Sequence, residues 1–160
     1  MTISVGERIP SVNLTRMTDD GPQPVSTVDF FAGRKVVLFA VPGAFTPTCS
    51  AQHLPGFTAN IDALRAKGVD AVACLATNDV FVMDAWGKDQ NTAGKVEMLA
   101  DGSGEFTKAM GLEFDLSARG LGVRSQRYAL VADDGVVTTL NVDEGGGLDK
   151  SSAESILAAL

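Results

Sequence analysis

The chain has 160 residues, 45% of them hydrophobic, and a net charge of −7. That is enough apolar material for one packed domain, expected over residues 1–160, and too much for a disordered chain. The acidic balance argues against a nucleic-acid binder, which carries a basic patch or stripe. The N-terminus shows no basic segment followed by an apolar one, and no apolar run is long enough to span a bilayer. A cytoplasmic location without membrane or nucleic-acid partners is the expectation. Two cysteines, Cys49 and Cys74, with no Cys-x-x-Cys, argue against a disulfide scaffold.

In chain order, residues 1–34 read as an irregular extension punctuated by Pro10, Gly21, Pro22 and Pro24. Val12 and Leu14, then Val25 and Thr27, alternate with polar neighbours, which predicts a small hairpin. Ser26 or Thr27 is placed to cap a short turn ending at Gly33. Residues 35–41 have no polar face and predict a fully buried strand. Leu54, Phe57, Ile61 and Leu64 fall at helical spacing, with Lys67-Gly68 as the stop. Pro55 predicts a bend in that helix.

Residues 69–76 form the next apolar strand, and Asn78 or Asp79 caps a helix through Trp86. A short strand at 96–100, a turn at 101–104, a helix capped by Ser103 and a loop containing Gly120 and Gly122 follow. Residues 127–132 and 136–142 predict a hairpin about Asp133-Asp134-Gly135. Gly145-Gly146-Gly147 reads as a flexible link, and Ser151 or Ser152 caps a last helix. Alternating strands and helices imply parallel crossovers, and the late hairpin adds antiparallel strands. The expected fold is α/β and thioredoxin-like, a mixed central sheet with helices on both faces and an N-terminal hairpin extension.

The chemistry concentrates in residues 41–57, between a buried strand and a helix. Cys49 stands where that helix should begin. A helix start leaves N–H groups unpaired and carries partial positive charge. A cysteine there ionises more readily, and the thiolate is the reactive species. Thr46 can place a hydroxyl over the same helix start. Pro42 and Pro47 stiffen the approach, and Gly43 lets the backbone turn. An ordinary loop with a helix cap accounts for the same residues.

Pro42-Gly-Ala-Phe-Thr46-Pro-Thr-Cys49-Ser50 resembles the active-site loop of the peroxiredoxins, whose core pattern is Pro-x-x-x-Thr-x-x-Cys. With His53-Leu-Pro-Gly-Phe57 the wording is similar to the type II, peroxiredoxin-five-like subfamily, which includes the glutaredoxin-linked enzymes. Asn78-Asp79, Ala85-Trp86-Gly87, residues 100–104, Gly120-Leu-Gly122, Arg124-Ser125 and Arg127 extend the match over nearly the whole chain. The resemblance implies a thiol peroxidase acting on hydrogen peroxide and alkyl hydroperoxides, with no metal or other cofactor. Cys49 would be the peroxidatic nucleophile, passing to a sulfenic acid. Thr46, Arg127 and backbone N–H groups would stabilise the developing negative charge, and Pro42 would shield the pocket. The resemblance also suggests a homodimer with Phe45 as a candidate contact.

Other residues have plainer readings. Arg127 heads an apolar strand and is either a strand-end surface charge or a buried partner for an anion. Arg124, three positions earlier, would face the opposite way in a regular strand. His53, the single histidine, follows Cys49 by one turn and reads as support rather than as a metal ligand. Cys74 has only apolar neighbours and reads as core; Trp86 and Phe81 read as core or interface.

Some subfamily members carry a second, resolving cysteine before the last helix. Residues 145–152 contain none. The expectation is a one-cysteine cycle closed by an external thiol, glutathione with glutaredoxin first and thioredoxin second. The alternative function is a peroxide-sensing relay that passes oxidation from Cys49 to a partner. A thiol–disulfide carrier is disfavoured by the missing Cys-x-x-Cys, and an inert thioredoxin-like module remains the plain alternative.

Overall fold

The computed structural model describes residues 1–160. The hairpin of β1 (Asn13–Thr18) and β2 (Gly21–Ser26) leads into α1 (Thr27–Phe31). Then come β3 (Lys35–Ala40), a π-helical turn (Cys49–His53), α2 (Leu54–Ala59), α3 (Ile61–Ala66) and β4 (Ala71–Ala76). They are followed by α4 (Val80–Asp89), β5 (Glu97–Ala100) and α5 (Glu105–Met110). A small ribbon of β6 (Glu113–Asp115) and β7 (Val123–Ser125) precedes the long hairpin of β8 (Arg127–Asp133) and β9 (Val136–Asp143), and α6 (Ala153–Ala159) ends the chain.

The main sheet has seven strands in the order β2-β1-β5-β4-β3-β8-β9. β3, β4 and β5 are parallel, and β1, β8 and β9 join antiparallel. The expected mixed sheet is therefore present, and the N-terminal hairpin is an integral edge of it.

Side chains alternate across each strand. Val37 and Phe39 of β3, Cys74 of β4, and Ala129 and Val131 of β8 share one core with Leu54, Phe57, Leu64, Trp86 and Ile156. Val36, Leu38, Leu75, Tyr128 and Leu130 point the other way, onto Phe30, Phe31, Phe106 and Met110. The parity also places Arg127, two residues before Ala129, on the face of the Cys49 helix. In the β3–β8 register Ala40 lies opposite Tyr128, so Arg127 stands level with the start of the loop that carries Cys49.

Several local expectations change. α5 is capped not by Ser103 but by the buried Asp101 carboxylate, which accepts from Phe106 N (3.1 Å) and Thr107 N (2.8 Å). The N-cap position there is Gly104 at φ 72°, a left-handed conformation that suits glycine. Thr27 does not cap α1; it is buried, and its hydroxyl ties Pro10 O to Val12 N. The segment around Gly120 and Gly122 is not a plain loop but the turn of the β6–β7 ribbon. Pro55 follows the π turn within a continuous helical run, and the run breaks at Asn60 (φ −109°, ψ 13°) rather than at the proline. Phe81 is 64% exposed and not part of the core, whereas Trp86 is fully buried. No helix is long and apolar enough to cross a membrane.

Candidate active site

The loop after β3 turns back sharply. Phe45 holds φ 64°, uncommon for a bulky residue, and its ring lies half exposed, 6.4 Å from Trp86. Asn78, which does not cap α4, instead accepts Ala44 N at 2.9 Å; Asp79 provides the cap through Val82 N. The loop is thus tied to the end of β4.

Cys49 does not stand at the first helical residue. Thr48 is already helical (φ −67°, ψ −37°), and Ser50 N donates to Thr46 O at 3.0 Å. Cys49 instead opens the π turn, which is closed by Leu54 N donating to Cys49 O. Such turns are rare and occur often at functional sites. Trp86 Nε1 donates to Ser50 Oγ at 3.0 Å, anchoring the turn to α4 and satisfying the indole N–H.

Two donors converge on the sulfur. Thr46 Oγ1 lies 2.9 Å from Cys49 Sγ, and Arg127 Nη2 donates to Sγ at 3.1 Å. Thr46 Oγ1 is also 2.7 Å from Gly43 O. A hydroxyl has one proton, so it serves one of these acceptors at a time. With a thiol, the S–H can donate to Oγ1 while the hydroxyl donates to Gly43 O. With a thiolate, the hydroxyl turns to the sulfur.

Arg127 is not a surface charge: it is 2% exposed and makes no ion pair with a carboxylate. Its Nη1 donates to His53 Nδ1 at 2.9 Å and its Nε to Gly146 O at 3.2 Å. A guanidinium has no acceptor, so Nδ1 must be the unprotonated nitrogen of His53. The proton sits on Nε2, which donates to Ser151 O at 2.9 Å. Burial first, and the Arg127 charge second, lower the His53 pKa from 6.5 to about 4, keeping the ring neutral near pH 7. His53 thus lies between Ser151 and Arg127, bonded to both. Gly145–Gly147 is not a slack link: Gly145 (φ 77°) and Gly146 (φ 84°) turn the chain so that Gly146 lays its carbonyl on Arg127.

Pro42 is buried. Arg124 does not reach the sulfur, yet it does not turn away. β7 ends at Ser125 and β8 begins at Arg127, so no regular strand connects the two arginines. Arg124 Nη1 donates to Pro42 O at 3.2 Å, and Nε to Leu121 O at 2.8 Å. A Cβ on Gly43 would stand 2.8 Å from Arg124 Nη1 and 3.1 Å from Thr46 Cγ2, so any larger residue would make the Arg124 guanidinium shift.

Cys74 is fully buried, and burial first, then the nearby Cys49, push its thiol pKa well up. No group of three or more His, Cys, Asp or Glu side chains is placed to hold a metal. A hollow of about 470 Å³ lies against Met17, Val80 and Met98 and is not lined by Cys49. A two-oxygen electrophile does not need such a volume.

The roles of Asp143, Ser151, Gly146 and Arg124 at this site were invisible in sequence; Ser151, a candidate cap of the last helix, leaves that position to Ser152. The Ser151, Gly146 and Arg124 contacts join residues 98, 19 and 82 positions apart, Asp143 acts on the loop six to eight residues beyond it, and two of the four act through a backbone carbonyl, which any residue supplies.

The Redoxin family model matches residues 4–157. Chloroplastic peroxiredoxin-2E of Arabidopsis thaliana is 52% identical over 99% of this chain and 70% of its own length. Peroxiredoxin-2D of the same plant is 49% identical over 99% and 98%. A crystal structure of reduced Prx3 from Vibrio vulnificus in complex with hydrogen peroxide superposes with a TM-score of 0.95, at 53% identity over 99% of each chain. With a thioredoxin-like sheet, a family match over almost its entire length and named relatives near half identity, the chain belongs to the type II peroxiredoxins, thiol-dependent peroxidases.

Proposed function

We propose that Cys49 is the peroxidatic cysteine and that it reduces hydrogen peroxide and alkyl hydroperoxides. The observation that carries this reading is the convergence of Thr46 Oγ1 and Arg127 Nη2 on Cys49 Sγ. The thiolate attacks the terminal peroxide oxygen. An S–O bond forms and the O–O bond breaks. Sulfur is oxidised by two electrons to the sulfenic acid, and the departing oxygen leaves as hydroxide or alkoxide and takes up a proton. The attacked oxygen and the leaving oxygen both carry developing charge, and the two donors already directed at the sulfur are placed to meet it. Pro42 shields this side of the sulfur from water.

The cycle we propose uses one cysteine of this chain. Cys74 lies in the middle of the sheet with no exposed surface, which supports reduction of the sulfenic acid by an external thiol. Glutathione with glutaredoxin is the first choice of donor and thioredoxin the second, in a cytoplasmic, reducing compartment. A homodimer is part of the proposal. Phe45 and Phe81 are 52% and 64% exposed, and both flank the junction between the Cys49 loop and α4. Sedimentation of Phe45→Ser and Phe81→Ser tests it; unchanged sedimentation in both variants removes these side chains from the interface.

Steady-state peroxide consumption with each donor system tests the cycle. Sustained turnover with either donor is the expected result, and turnover that survives Cys49→Ser overturns the assignment. Rapid oxidation of Cys49 with negligible turnover on every donor would indicate the peroxide-sensing relay instead.

A further inference from the structure

We propose that Asp143 is a positioning residue for Arg127, acting through Ser151 and His53 to aim the guanidinium at the Cys49 sulfur. The proposal rests on the reading of Cys49 as the peroxidatic residue. Asp143 ends β9 and is the cross-strand partner of Arg127. Both are buried, at 7% and 2% exposure, and carry opposite charges, yet they form no ion pair. A direct pair would be the simplest outcome for such neighbours. It would also draw Arg127 away from the sulfur and neutralise it.

The Asp143 carboxylate is instead occupied by the segment that follows it. Oδ2 accepts from Asp149 N (3.0 Å), Ser151 N (2.8 Å) and Ser151 Oγ (2.7 Å), and Oδ1 from Lys150 N (2.9 Å). Burial alone would raise the Asp143 pKa. The backbone N–H groups and the Ser151 hydroxyl outweigh it and hold the group below the usual carboxylate range. All the donors are neutral, so the positive charge of Arg127 stays available.

The consequence is a loop folded back over the site. Ser151 O is fixed where it accepts a hydrogen bond from His53 Nε2 at 2.9 Å, so Nδ1 is the lone-pair nitrogen that accepts from Arg127 Nη1. Gly146 O, in the same loop, receives Arg127 Nε. A guanidinium is planar and rigid. Holding Nε and Nη1 fixes the direction of Nη2, which then points at the sulfur 3.1 Å away. Misplacing such a group costs rate without removing any catalytic atom.

The test uses full-length Asp143→Asn, which keeps the shape but replaces one acceptor oxygen with a donor. Two rates are read on Cys49: oxidation by hydrogen peroxide and alkylation by iodoacetamide, a neutral electrophile with no oxygen leaving group. The expected result is a roughly tenfold slower oxidation with alkylation within about twofold. In an Arg127→Gln background, Asp143→Asn should cause no further loss, since the two substitutions then act on one contact. Equal slowing of both rates, an unchanged peroxide rate, or an undiminished effect in the Arg127→Gln background overturns the proposal. If Asp143→Asn is unfolded by circular dichroism, Ser151→Ala carries the same comparison, losing one bond and keeping the carbonyl. About threefold selective slowing of peroxide oxidation is then expected, and none overturns the proposal. Failure of the Cys49 reading itself shows separately, as turnover surviving in Cys49→Ser.

Discussion

Cys49 and Cys74 are both free, both fully buried, and members of the same apolar core. They nevertheless sit in opposite chemical surroundings. Cys74 is in mid-strand on β4, opposite Phe39 and Met98 in the neighbouring strands, and burial makes its thiolate harder to form. Cys49 is in a helical turn beneath a hydroxyl and a guanidinium, both directed at its sulfur. Burial by itself thus makes a cysteine inert. Burial with donors makes a water-poor site in which each donor counts for more.

The comparison breaks most sharply by substitution at the two sulfurs. Cys49→Ser should bring peroxide consumption to the uncatalysed rate, whereas Cys74→Ala should keep it within about twofold and lose about 1 kcal/mol of stability to the small cavity. Alanine is the cleaner probe, because serine would bury an unpaired hydroxyl. Peroxide assays beside urea unfolding separate the two effects. Loss of sustained turnover in a folded Cys74→Ala protein would refute the one-cysteine cycle.

Removing the donors should move Cys49 toward the condition of Cys74. Arg127→Gln is expected to slow peroxide reduction by about 10²- to 10³-fold, and Thr46→Val by about 10- to 100-fold. Thr46→Ser, which keeps the hydroxyl, should recover most of the loss. Stopped-flow oxidation of the reduced protein measures each directly.

The histidine between the two regions provides a pH test. Burial and the Arg127 charge hold its pKa in the folded protein at about 4, against 6.5 for an exposed histidine. Between those values the unfolded chain binds the proton and the folded one does not, so stability rises with pH. The contribution is complete above about pH 6.5 and is lost as pH falls toward 4, a change of up to about 3 kcal/mol. Asp143, whose pKa is also lowered, acts in the same direction. Urea unfolding at pH 7 and 4.5 should show the decline, and His53→Gln should flatten it. An equal slope in that variant would refute the assignment.

The smallest effect concerns the loop that carries Thr46. Arg124→Ala frees Pro42 O and should slow oxidation about threefold. Gly43→Ala would crowd the same guanidinium, which can shift, so a similar small loss is expected, with no added loss in the double variant. Losses that multiply would mean that the two residues act separately.

Much of this was legible in the chain. Apolar runs without a polar face marked β3, β4 and β8, and the helical spacing of Leu54, Phe57, Ile61 and Leu64 marked the segment beyond Cys49. The loop wording from Pro42 to Ser50 identified the family. Local rules failed where a distant group supplied what a neighbour usually supplies. Asp101 replaced Ser103 as the cap of α5, and Asn78 held Ala44 rather than capping α4. For Arg124 the parity argument rightly kept the side chain from the sulfur, but the interruption at Gln126 lets it reach the loop at Pro42 instead of facing away.

The sequence by itself determined which segments are buried, which sulfur stands in a polar turn and which family the chain joins, because hydrophobic period, turn chemistry and motif wording are local properties. Only the tertiary structure decided how Arg127 is aimed. Its three nitrogens meet Gly146, His53 and Cys49, residues 19, 74 and 78 positions away in the chain. A direction in space set by contacts of that separation exists only after the sheet has brought β8 beside β3 and residues 143–151 have folded back onto Arg127 and His53.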